Sequence, residues 1–192
     1  SVADFNLESR EGALIANNLL LVVATAIVLL GTFYPLGLEM ISGARITVGP
    51  PYFNATFNPV MGILVVIMVI GPVMAWRRGA TPRAKTTLLA ACVSAIIAGV
   101  IGVALVQDIA IGAIGAVMLI AWLAMGIATD IWTQLKPLQR AGLASRWHRL
   151  PTEVLGMWIA HFGIVVFLLG ATGDGLFRSE QVVRAKPGDV VT

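Results

Sequence analysis

Cysteine is almost missing from this sequence, where Cys92 stands alone. One thiol cannot form an intrachain disulfide, a zinc knuckle or a Cys-x-x-Cys-His haem attachment, so the chain is not itself a c-type cytochrome. Charge is equally scarce: Asp, Glu, Lys and Arg make up 12% of 192 residues. A soluble domain carries roughly 25%. Only two histidines occur, His148 and His161. There is no Gly-rich phosphate loop, nucleophile elbow or metal-ligand cluster. The acidic residues Glu39, Asp108, Asp130, Glu153 and Asp174 are expected near helix ends, where water and caps accommodate them. None is spaced with another for acid/base work or proton relay. The net charge of +3 does not imply a nucleic-acid partner, because the basic residues sit between apolar runs and act as topology signals.

What the chain has instead is apolar length. It is 58% hydrophobic with a mean hydropathy of +0.89, and a hydrocarbon core of about 30 Å needs about 20 apolar residues per helix. Runs of that kind cover about 13–36, 58–76, 87–106, 109–131 and 154–173. The predicted fold class is therefore all-α membrane, with about five transmembrane helices. The first run is longer than a signal-peptide core and has no small-residue cleavage site after it, so it reads as a retained span. Asn58 is expected to cap the second helix with Pro59 in its first turn, and Gly71-Pro72 to kink its far end. Only Gln107 and Asp108 separate the third and fourth runs, which predicts an antiparallel hairpin. Gly99, Gly102, Gly112 and Gly115 would allow its close packing.

Arg77, Arg78, Arg83 and Lys85 follow the second span, and Lys136, Arg140, Arg146 and Arg149 precede the fifth. Both loops are expected on the cytoplasmic side. An odd number of crossings then puts the tail outside, in the periplasm of a Gram-negative cell. The transmembrane region is predicted over 1–176. Residues 177–192, with β-prone stretches around Pro187-Gly188, read as the start of an external β-rich domain. That tail, and Ser1 in place of an initiating Met, predict a piece of a longer protein.

His161 is the main candidate for chemistry. A polar ring at bilayer depth must find a partner or cost several kcal/mol, and it is a functional-site hypothesis by default. Val154, Met157, Trp158, Ile164, Val165 and Leu168 share its helical face, and Gly156, Ala160, Gly163 and Gly170 form a small-residue stripe beside it. One imidazole in an apolar wall is what a buried haem requires. A histidine hydrogen-bonded to a neighbouring helix fits the spacing equally well. Trp158, Met157 and Val165 are the candidate pocket residues. His148, among arginines and before Pro151, reads as a surface residue. Asn17 and Asn18 are expected to bond another helix. Pro51, Tyr52, Phe53 and Asn54, in a stiff outward-facing loop, are either a membrane-interface belt or a contact surface for a partner.

Three ordered motifs carry a family resemblance. They are Ser9-Arg10-Glu11-Gly12 with Asn17-Asn18-Leu19-Leu20-Leu21, then Val48-Gly49-Pro50-Pro51-Tyr52-Phe53-Asn54, then Gly156-Met157-Trp158-Ile159-Ala160-His161-Phe162-Gly163. In this order they resemble the CcmF family of haem-handling proteins in cytochrome c biogenesis. The resemblance covers the later part of that family's chain. It implies an inner-membrane subunit of a haem lyase, taking haem from the haem chaperone CcmE and working with a CcmH-type subunit to join it to apocytochrome c. It also implies a transmembrane b-type haem held by two histidines, of which His161 looks like the second. The family's other transmembrane histidine and its tryptophan-rich external motif precede this region. The chain alone is therefore not expected to be active. A transporter, or a structural membrane subunit without cofactor, is the competing expectation, although no ionisable group beyond His161 is expected at mid-membrane depth.

Overall fold

The computed structural model describes residues 10–75, 78–80, 82–106, 110–136 and 150–177. Five helices account for most of them: α1 (Arg10–Ser42), α2 (Pro50–Val73), α3 (Pro82–Leu105), α4 (Ile111–Leu135) and α5 (Thr152–Phe177). Each is long and apolar enough to cross a bilayer, because only a helix satisfies its own backbone groups in hydrocarbon. The chain is a multi-pass membrane protein.

All five helices are longer than the runs that predict them, and α2 differs most. It begins at Pro50, with prolines in its first two positions and Gly49 before them. Proline is favoured there because the first N–H groups of a helix have no intrahelical partner to lose. Asn58 is therefore an interior residue, donating from Nδ2 to Asn54 Oδ1 at 3.1 Å. Pro51, Tyr52, Phe53 and Asn54, expected in a loop, form the opening turns of α2. At the other end Pro72 lies in the last turn and the helix stops at Val73. A short antiparallel hairpin follows, β1 (Met74–Ala75) with β2 (Arg78–Ala80), pairing Met74 with Ala80 and Ala75 with Arg78. It turns the chain back into α3.

The packing centres on α4, which contacts α2, α3 and α5, whereas α1 lies against α2. The buried core joins Val65 and Val69 of α2, Ala91 of α3, Leu123 and Ile127 of α4, and Trp158 and Val165 of α5. Two glycines set the closest approaches. A Cβ on Gly126 would stand 2.6 Å from both Val69 methyl carbons, and one on Gly31 would stand 2.8 Å from Tyr52 Cε1. Of the four glycines expected at the α3–α4 contact, a Cβ on Gly99 would press on Met118, but one on Gly112 or Gly115 would meet nothing within 4 Å. Leu19, Val22, Leu30 and Phe33 on α1 and Ile159, Phe162 and Phe167 on α5 point outward. That costs little where the surroundings are hydrocarbon. Of the β-rich segment expected over 177–192, Phe177 is the last residue of α5 and the rest lies outside the described residues.

Candidate functional site

α2 and α5 flank α4 as two walls over a floor. The cleft between them encloses a cavity of about 20 Å³ and is lined by Met68, Val69, Pro72 and Val73 of α2, Gly126 and Asp130 of α4, and Met157, Trp158 and His161 of α5, among others. The near-contact of Gly126 with Val69 brings the α2 wall down onto the floor.

His161 stands on the α5 wall, half-buried. Its Nδ1 lies 2.8 Å from the Met157 carbonyl oxygen, one turn earlier on the same helix. A carbonyl only accepts, so Nδ1 carries a proton and donates, and in the neutral tautomer that fits this bond Nε2 is the nitrogen with the lone pair. In metal sites a bond of this kind orients the ligating imidazole, since the bond made by one ring nitrogen sets which tautomer the other presents. No hydrogen bond joins His161 to a neighbouring helix among the described residues. Of the other pocket candidates, Met157 and Trp158 line the cleft beside it, whereas Val165 is buried in the core and is not one of the cleft's lining residues. The stripe of Gly156, Gly163 and Gly170 faces open space within the chain. His148 lies outside the described residues.

One end of the cleft holds a charge network that sequence reasoning missed. Asp130, expected at a hydrated helix end, is only 4% exposed. Its Oδ1 accepts from Arg83 Nη2 of α3. Its Oδ2 accepts from Trp158 Nε1 of α5 at 2.8 Å and from Gln134 Nε2 at 2.9 Å. A carboxylate in so apolar a setting is tolerable only when paired and hydrogen-bonded like this. Close by on α3, one turn after Arg83, Thr87 is fully buried, and its Oγ1 and Arg83 Nε have no hydrogen-bond partner among the described residues. A polar residue late in an apolar run was the only signal available, and its partners lie 47 and 28 positions away.

The outward segment is drawn into the fold as well. Tyr52 Oη donates to the Ile27 carbonyl of α1 at 3.1 Å, and Tyr52 and Phe53 meet edge to face with centroids 5.1 Å apart. Both rings lie over Gly31, while Pro51 and Asn54 are exposed. Asn17 is half-buried and Asn18 exposed, and neither bonds another helix among the described residues.

Known proteins share this sequence along nearly its whole length. It is 38% identical over 194 residues to the cytochrome c-type biogenesis protein CcmF of Pseudomonas fluorescens, covering 98% of this chain and 28% of that protein. The chain belongs to the CcmF family. It is also 39% identical to CycK of Rhizobium meliloti, over 95% of this chain and 27% of that one. To CcmF of Escherichia coli it is 30% identical, over 96% and 27%. The chain thus spans between a quarter and a third of the length of these relatives. No family model matches it, and no solved structure does. With relatives named for it, a role in cytochrome c biogenesis follows for the family.

Proposed function

We propose that this chain forms part of the membrane region of a cytochrome c haem lyase, with His161 as one axial ligand of a b-type haem. The observation that carries the reading is the setting of His161: its Nδ1–H is committed to the Met157 carbonyl, so the neutral ring would offer Nε2 as its donor atom, and the residue lines an apolar cleft. The donor is of the right kind for haem iron, and Met68, Val69, Met157 and Trp158 are of the right kind for porphyrin faces. The space is small: the cavity measures about 20 Å³, against roughly 300 to 1,000 Å³ for pockets that enclose a ligand, so on this reading the described residues offer only one wall of a shared site. The opposite wall and the second axial ligand would come from outside the described residues.

Bound there, the haem would supply one-electron redox chemistry. The chain's own contribution is to orient one imidazole, to exclude water with an apolar cleft, and to place that cleft against α4. On this reading the protein sits in the bacterial inner membrane with the end of α5 facing the periplasm. Its partners are the haem chaperone CcmE, a CcmH-type subunit and apocytochrome c. Exposed Pro51 and Asn54, at the outer start of α2, would border that assembly.

The functional test is cytochrome c maturation in a strain lacking its own CcmF, complemented with the full-length protein. His161→Ala is expected to reduce covalently bound haem in the c-type cytochromes at least tenfold while the protein still accumulates in the membrane. Undiminished maturation by a stable His161→Ala protein would overturn the proposal.

A further inference from the structure

α5 presents apolar side chains almost all round: Val165 and Leu168 inward, and Ile159, Phe162, Val166, Phe167 and Leu169 outward. In water such a helix would be held by burial of one face. In a bilayer, lipid tails are as apolar as leucine, so the hydrophobic effect barely distinguishes one rotation of α5 from another. A directional contact must do so.

The described residues contain one between side chains of α4 and α5: Trp158 Nε1 to Asp130 Oδ2, at 2.8 Å. It is charge-assisted, hence stronger and more directional than a neutral bond. Its acceptor is pinned in turn, because Arg83 of α3 holds the other carboxylate oxygen and Gln134 shares the first. Trp158 and His161 are three residues apart, so they share one face, about 4.5 Å apart along the axis. Any rotation or slide of α5 that keeps the indole on Asp130 keeps the imidazole where it is.

We propose that Asp130 is a positioning residue: held by Arg83, it receives the Trp158 indole and so sets the rotation and depth of α5, which decides where His161 Nε2 points. The functional consequence rests on the haem-ligand reading of His161. The setting of α5 does not, and it can be measured without haem.

The test uses full-length protein in membranes with Cys92→Ser. Leu123→Cys on α4 is combined in turn with cysteine at Ile164, Val165, Val166 and Leu168 of α5, and disulfide yield is compared. With Asp130 intact, positions 164, 165 and 168, which pack into the same core as Leu123, should cross-link several-fold better than 166. Trp158→Phe removes the donor alone. Arg83→Met with Asp130→Leu removes the hook without stranding a charge, an exchange that buried pairs commonly tolerate. Both should reduce the contrast at least twofold in protein that accumulates normally, and shift the midpoint potential or low-spin signature of the haem. Asp130→Glu should restore part of the contrast. An unchanged pattern in both variants overturns the proposal. A parent protein without haem sinks the ligand reading alone, and the cross-linking pattern still decides on Asp130.

Discussion

The indole N–H of Trp158 donates to the carboxylate of Asp130 across the α4–α5 contact, joining residues 28 positions apart in the chain. Asp130 also pairs with Arg83 at the start of α3, so a single buried carboxylate ties three helices together at one end of the cleft that holds His161.

Breaking that tie asymmetrically should be costly. Arg83→Ala leaves a carboxylate that is only 4% exposed without its counter-ion, and loss of one partner of a buried pair costs about 3–5 kcal/mol. Arg83 is partly solvent-exposed, which places this variant at the lower end or below. Trp158→Phe removes one hydrogen bond to a charged group, about 1.5–3 kcal/mol. Thermal unfolding in detergent should rank Arg83→Ala and Trp158→Phe below the parent, and Arg83→Met/Asp130→Leu above Arg83→Ala.

The approach of α2 to α4 should depend on the missing side chain at Gly126. A Cβ there would collide with Val69, and overpacking of this kind costs about 1–3 kcal/mol. Gly126→Ala should lower the melting temperature, and Val69→Ala in the same chain should recover part of the loss. Additive losses in the double variant would contradict the packing described.

Much of this architecture was legible in the sequence. Five apolar runs between charged loops can hardly be anything but membrane helices, and the spacing of Met157, Trp158, His161 and Val165 placed them on one face. The start of α2 was misread because Gly49-Pro50-Pro51 resembles a turn, although those prolines sit where a helix has no N–H bonds to lose. Asn58-Pro59 imitated the cap further on. Asp130 was misread for a different reason. Its place late in an apolar run suggested hydration, and only the fold brings Arg83 and Trp158 to it. No local periodicity encodes pairings that distant.

Tyr52 provides a smaller, separable test of how the start of α2 packs on α1. Tyr52→Phe loses the bond to the Ile27 carbonyl and should cost about 1 kcal/mol, whereas Gly31→Leu, set against both rings, should cost more. Protease resistance of the membrane-embedded protein would reveal the order. Equal effects would mean that the rings do not pack on α1 as described.

Sidedness can be checked by cysteine labelling in intact cells carrying Cys92→Ser. Ala44→Cys lies in the short connection between α1 and α2 and is exposed. It should react with a membrane-impermeant maleimide, and Lys136→Cys, at the C-cap of α4, only after permeabilisation. The reverse pattern would invert the topology.

The central claim is that His161 binds haem iron through Nε2. The visible spectrum of the purified full-length protein, with and without His161→Ala, tests it most directly. The account predicts a low-spin b-type spectrum in the parent, with the Soret band lost or shifted to a high-spin form in the variant. An identical Soret band in both proteins would contradict it.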